Sequence, residues 1–288
     1  MRANRSSRTP AELLALFDAE RRTEPRPEPG VRYERAGGVL RAIGAWNAVC
    51  VAELTLESAD SVIAEQVAFF RSMCMDGGPD GAEPGSGQGR FLEWKVYGHD
   101  LPPDLGSRLA EAGFEPEEPE TLMVLDLACG LPEHSGAGAS HTAVEIRLVT
   151  DATGVADATT AARAAFGRDD DWESARTEEY RRRLSDPTMG LYVAYLDNRP
   201  VASARVEFSP RRSFAGLWGG GTIPECRGRG IYRALVRARA EEARGRGYQY
   251  LRVDARATSR PILERLGFIP LSNIVEWRLS LPAARHRL

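Results

Sequence analysis

Apolar positions recur with a recognisable period along most of the chain, and two aperiodic stretches interrupt them. Val31–Arg35 and Val39–Ile43 alternate and meet at Gly37-Gly38, which predicts a β-hairpin. Thr9-Pro10-Ala11-Glu12 has capping-box spacing with proline at the first helical position, so a helix is expected over 10–22. A buried strand at 48–54 precedes a helix at 58–75, whose apolar side carries Val62, Ile63, Val67, Phe69 and Phe70. Strand 91–97, a short helix at 103–112 and strand 121–127 complete the first half. The second half reads as strand 144–149, helices 152–166 and 174–184, and strands 191–196, 199–208 and 213–222. Helix 229–246, strand 249–254, a short helix at 259–266 and closing strands up to Leu281 follow. A long helix joining two strands implies a parallel pair in an otherwise antiparallel sheet, so a mixed α/β (α+β) class is expected.

The aperiodic stretches are rich in glycine. Segment 129–142 (CGLPEHSGAGASHT) reads as an interdomain linker between domains at 1–128 and 143–288, and 76–90 as a long mobile loop inside the first. A length of 288 residues agrees with two domains. The halves share a weak repeat: Leu109-Ala-Glu-Ala-Gly-Phe-Glu-Pro116 parallels Leu263-Glu-Arg-Leu-Gly-Phe-Ile-Pro270, each flanked by strands in the same order.

Composition narrows the function. Hydrophobic residues make up 42% and charged residues 27% of an ordinary globular mixture. A net charge of -3 lacks the electrostatic footprint of a dedicated nucleic-acid binder. Arg181-Arg182-Arg183 therefore reads as a solvated helix surface. No apolar run reaches the roughly 18 residues of a membrane span, and no signal core follows the basic N-terminus, so a cytoplasmic protein is expected. The four cysteines are scattered, and His134 and His141 fall in the linker, so no metal site is expected.

The chemistry concentrates at 213–238, SFAGLWGGGTIPECRGRGIYRALVRA. A strand ends in Gly219-Gly220-Gly221-Thr222, Pro224 stops it, and a basic glycine-rich turn opens a helix at Ile231. Ile231, Ala234, Leu235 and Ala238 mark that helix's buried side. A helix start carries unpaired N–H groups and partial positive charge, so unaided it favours Asp or Glu nearby. Here Arg227, Arg229 and Arg233 crowd it instead, an arrangement suited to an anion held among them. Gly228 and Gly230 let the backbone close on that anion, which describes a phosphate cradle. The first half's corresponding helix opens with Glu57 and Asp60 and without glycine, a frame that would repel phosphate. A dinucleotide fingerprint fails because Arg233 stands at its third glycine, and no P-loop Gly-Lys-Ser/Thr is present.

At this point the sequence resembles the GNAT acyltransferase superfamily. Its helix-opening signature, Gln/Arg-x-x-Gly-x-Gly/Ala, maps onto Arg227-Gly228-Arg229-Gly230-Ile231-Tyr232 and departs at Tyr232. The element order over 143–281 and the Leu266-Gly267-Phe268 helix ending are also similar to the family's. The resemblance implies two tandem GNAT-like domains, the first degenerate, each a mostly antiparallel twisted sheet flanked by helices. It implies acetyl-CoA as co-substrate, with pyrophosphate on the backbone N–H groups of Arg229 to Arg233 and the pantetheine arm along the strand end. The implied contacts are Gly220, Gly221, Thr222, Ile223, Arg227, Gly228, Arg229, Gly230, Ile231, Tyr232 and Arg233. The family's usual tyrosine acid falls on Leu263, and its usual asparagine falls near Arg256. Tyr232 is the candidate to replace such contacts, and Glu207 and Asp254 are the candidate bases for an attacking amine. Asp171 and Trp172, in the acidic connection between the leading helices, are expected to border a cationic acceptor. The expected activity is acetyl transfer to a primary amine of a small molecule by direct attack, in a monomer or homodimer. A non-catalytic acyl-CoA sensor and a protein-lysine acetyltransferase remain open beside it.

Overall fold

The computed structural model describes residues 8–21, 30–75, 91–130 and 144–281. Most of the expected linker, both of its histidines and the loop at 76–90 lie outside them. The chain forms two compact units, Met123–Pro270 and Arg8–Leu122, the latter joined by the C-terminal stretch from Leu271. The expected boundaries, contiguous domains at 1–128 and 143–288, differ from this division at both ends of the second half.

In the unit built mainly from the first half, α1 (Pro10–Arg21) starts with the expected box: Thr9 N–H donates to Glu12 Oε2 at 2.7 Å, and Glu12 N–H to Thr9 Oγ1 at 3.3 Å. Strands β1 (Val31–Ala36) and β2 (Val39–Gly44) form the antiparallel hairpin. β3 (Asn47–Ala52) pairs antiparallel with β2 and parallel with β4 (Phe91–Tyr97). Between them runs α2 (Ala59–Met75), which supplies the long crossover a parallel pair requires. Short helix α3 (Leu105–Glu111) and the two-residue strand β5 (Glu115–Pro116) follow.

The unit built mainly from the second half has strand order β6-β11-β10-β9-β8-β7. These are β6 (Glu120–Asp126), β7 (Glu145–Leu148), β8 (Met189–Leu196), β9 (Arg199–Phe208), β10 (Phe214–Thr222) and β11 (Tyr250–Arg256). Neighbours β7 through β10 pair antiparallel, whereas β10 and β11 are parallel and enclose α6 (Ile231–Gly245). Helix α6 packs against β7 to β10, and α4 (Ala152–Phe166) packs against β8 to β10 and against α5 (Asp170–Arg182). One cluster joins Leu235, Val236 and Ala240 to Val206, Leu217 and Leu251; a separate one joins Val155 and Tyr180 to Leu191 and Val193. The two clusters draw on alternate strand positions, as the two faces of one sheet do.

The last strand of each half serves the other unit. Met123 and Leu125 of β6 belong to the second-half cluster, and Leu127 N–H donates to the Gln249 carbonyl. The end of the chain forms a single strand, β12 (Ile269–Ser280), rather than several. From Ile274 to Ser280 it pairs antiparallel with β4, and Leu279 and Leu281 enter the first-half core.

The suspected repeat has matching backbones. After α3, Gly113 has φ +92°, and Phe114 N–H donates to the Leu109 carbonyl. After α7 (Arg260–Arg265), Gly267 has φ +91°, and Phe268 N–H donates to the Leu263 carbonyl. Both are Schellman-type helix ends, in which a left-handed residue lets the chain turn back and bury the next aromatic.

Candidate acyl-donor site

Helix α6 opens as the charge pattern requires. Gly228 and Gly230 have φ of +76° and +79°, and Gly230 stands at the N-cap without a side-chain cap. No acid occupies the first turn. The long helices α4 and α5 contrast with it. Asp151 accepts the Gly154 N–H, and Asp169 accepts the Trp172 N–H. At the corresponding start in the other unit, Ser58 N–H donates to Thr55 Oγ1, and Asp60 lies in the first turn of α2. The leading amides of α6 therefore face a turn built only of glycine and arginine, with Arg229 exposed.

The strand leading into this turn is shaped for close approach. β10 pairs with β11 only over Phe214–Gly216, so its later residues leave that side of the ladder open. On the other side, its register against β9 slips between Trp218 and Gly221, and Gly219 takes φ +56°. A Cβ on Gly220 would lie 3.0 Å from Tyr232 Cε2, and one on Gly221 would lie 2.9 Å from Ala165 Cβ. The triple glycine therefore admits helices on both faces as well as leaving an open edge.

The expected donor contacts are not all available alike. Gly228, Arg229, Gly230 and the first turn of α6 make up the uncapped turn, and Gly220 and Gly221 lie on the strand that leads to it. Ile223 is buried in the core, and its N–H donates to the Val201 carbonyl at 3.0 Å, so it cannot pair with a ligand. Thr222 is held in register with Ala202. Arg227 turns back, donating to the Thr222 carbonyl and to the Ala165 carbonyl, each at 3.1 Å. Ala165 lies in the last turn of α4, where carbonyls lack helical partners, so Arg227 ties the turn to that helix.

The candidate catalytic residues fall on opposite faces of the sheet. Tyr232 lies on the α6 side against Gly220, and desolvation raises its phenol pKa. Glu207 alternates with core residues Val206 and Phe208, and so faces the α5 side. There its Oε1 lies 3.5 Å from Arg183 and 3.4 Å from Arg205. Asp254 shares that side, its side chain 97% buried and 3.8 Å from Arg252, whose guanidinium stacks 5.0 Å over the Trp218 ring. Arg183 is consequently not a solvated residue: it also meets Glu179 and Asp186. Leu263, at the family's tyrosine position, is fully buried.

The acidic connection is in fact the first turn of α5, four residues earlier than the pattern suggested. Asp169 caps it, and acids at a helix start are favourable. Asp171 is exposed, while Trp172 is half-buried beneath Arg176. A groove of about 360 Å³ nearby is lined by Asp170, Glu173, Ser174, Thr177, Glu178 and Arg181, not by Asp171 or Trp172. The sequence reading missed Arg239. The buried side of α6 runs through Val236, Arg239 and Ala240, whereas Ala234 and Ala238 are half-buried. An arginine eight residues after Ile231, in line with Leu235, was the available signal.

Among the described residues, no group of three or more His, Cys, Asp or Glu could hold a metal, and no helix is long and apolar enough to cross a membrane. In the second-half unit a parallel strand pair opens beside an uncapped helix preceded by glycine. Residues 156–268 match the model of the Acetyltransferase (GNAT) family. Over nearly its whole length the chain is similar to a GCN5-related N-acetyltransferase from Kribbella flavida. There the TM-score is 0.62 at 16% identity, covering 95% of this chain and 96% of that one. It is also similar to a GCN5-related N-acetyltransferase from Sphaerobacter thermophilus (TM-score 0.58, 14% identity, covering 96% and 95%). A tandem GNAT protein from the clavulanic acid biosynthesis pathway gives a TM-score of 0.55 at 14% identity, covering 96% of each chain. No curated protein matches the chain.

Proposed function

We propose that the protein is an N-acetyltransferase that moves an acetyl group from acetyl-CoA to a primary amine of a small molecule. Its donor site would lie in the second-half unit, and the first-half unit would be a degenerate GNAT-like copy without a cradle. The observation that carries this reading is the start of α6: two left-handed glycines, no capping side chain and no acid, beside a strand whose edge is open. A diphosphate accepts the leading N–H groups and complements Arg229 and Arg233. Acetyl-CoA supplies the activated acyl group; the chain binds, orients and handles protons. Backbone donors of the β10 bulge would meet the acyl oxygen, where one such donor is worth about 3–4 kcal/mol in a transition state.

Glu207 is the proposed proton acceptor, and an incoming ammonium would take the place of one of its two guanidinium partners. Asp254 is closed off from solvent and serves in this reading by holding Arg252. Tyr232 is the proposed proton source for the departing thiolate. We place the protein in the cytoplasm as a monomer or homodimer, with neither nucleic acid nor membrane as partner. The buried Leu263 supports a second reading, a non-catalytic acyl-CoA sensor, because the family's usual acid is replaced by a core residue.

Calorimetric titration with acetyl-CoA, followed by a screen of small amines for CoA release, tests both. Binding with turnover on an amine is expected. Binding with no turnover on any amine favours the sensor, a mass shift in co-incubated proteins favours lysine transfer, and no binding refutes the donor site.

A further inference from the structure

Arg239 is among the largest fully buried side chains of the protein, and its guanidinium has no carboxylate among its hydrogen-bond partners. Nε donates to the Leu235 carbonyl at 3.0 Å and Nη1 to the Arg205 carbonyl at 3.1 Å. Nη2 is buried with no partner. It lies 3.5 Å from where a Gly220 Cβ would stand, beneath the β10 bulge. The nearby acid on the same helix, Glu242, is engaged elsewhere: it accepts the Tyr192 hydroxyl and the Arg246 guanidinium.

The register explains why a cation is there. Trp218 opposes Arg205 and Gly221 opposes Ser203, so Gly219 and Gly220 stand against Ala204 alone. Such a two-against-one bulge interrupts the ladder and leaves strand groups in need of partners. At this place Arg239 takes the Arg205 carbonyl from below. An apolar side chain among Leu235, Val236 and Ala240 would be easier to bury than an uncompensated guanidinium. Desolvation lowers its pKa to about 10, which still leaves it charged at neutral pH.

We propose that Arg239 is a positioning residue for the acyl group. By holding the Arg205 carbonyl, it fixes the Gly219–Gly220 bulge so that backbone N–H groups of β10 point at the thioester carbonyl. Its free Nη2 keeps positive charge beneath those peptides. The inference rests on the donor-site reading above and goes beyond it by naming the side chain that sets the geometry.

The test compares acetyl-CoA with CoA, which lacks the carbonyl but shares the diphosphate and pantetheine. Dissociation constants for both ligands are measured by calorimetry on the full chain, for wild type, R239M, R239Q and R239K, with melting temperatures alongside. In R239M, acetyl-CoA affinity should fall about tenfold, the scale of one lost hydrogen bond, while CoA affinity changes by less than about twofold. R239Q retains one donor for the Arg205 carbonyl, and R239K retains the charge; both should recover part of the loss. If R239M does not fold, the same difference between ligands is read from R239Q and R239K. Equal losses for the two ligands, or none in a folded variant, would overturn the role of Arg239 while leaving the donor site intact. Wild-type protein that binds neither ligand would overturn the donor site itself, and this inference with it.

Discussion

Ending the chain after Pro270 should unfold the first-half unit and spare the second. The truncation removes Ile274, Leu279 and Leu281, which are 1%, 5% and 7% exposed. At roughly 1.5–3 kcal/mol for each fully buried aliphatic side chain, the loss is on the order of 5–9 kcal/mol, an upper figure because unfolded chains bury some surface already. Seven residue pairs with β4 disappear as well. A whole domain is stable by only about 5–15 kcal/mol, so little would remain. The second-half core, from Met123 to Phe268, loses none of its buried members. Hydrogen exchange read by mass spectrometry separates the outcomes. Amides of α2 and β2 should exchange freely in the truncated protein, while those of β9 and α6 keep wild-type protection. Native protection of α2 without the last strand would refute the reasoning. A milder version, Leu279→Ala, should cost about 2–5 kcal/mol by thermal or denaturant unfolding.

Reversing the charges at the cradle, with Arg229→Glu and Arg233→Glu together, should weaken acetyl-CoA binding at least tenfold and most strongly at low salt; unchanged affinity would contradict the cradle. Asp60→Ala, which removes an ion pair with Arg108 at the other unit's helix start, should leave that affinity alone. Glu207→Gln should depress turnover on any amine found in the screen, mainly toward low pH, and a profile identical to wild type would remove Glu207 as proton acceptor. At the capping box, hydrogen bonds from Thr9 lower the Glu12 pKa. Glu12 therefore stabilises α1 above the ordinary carboxylate range, and this is lost as pH falls through its lowered value. Glu12→Gln should make the α1 exchange rates insensitive to pH over that window once intrinsic exchange is corrected for.

What could be read from the sequence was mostly local. The Thr9–Glu12 box, the hairpin at Gly37-Gly38 and the span of α4 depend on neighbours within a few residues, and each stands where its pattern placed it. The start of α5 was misplaced because acids in a first turn and acids in a connecting loop look alike until Asp169 is seen to cap. The uncapped start of α6 and its two left-handed glycines were legible because charge and glycine sit in one short run. Arg239 was not, since its meaning depends on a bulge between two other strands. Nor could Arg227 show which way it turned: its carbonyl partner at Ala165 lies far away in the chain. Partner choice for β6 and β12 is non-local, and nothing in either strand's alternation says which unit it will join.

That reciprocal placement of final strands bears on synthesis. A nascent chain ordinarily folds from its N-terminus as it emerges. Here β4 must wait for residues 274–280, made well after it, before that pairing forms. Until then its edge is an unpaired template open to other chains. Slow or interrupted translation should therefore endanger the half that was made first, and aggregation during expression should begin there.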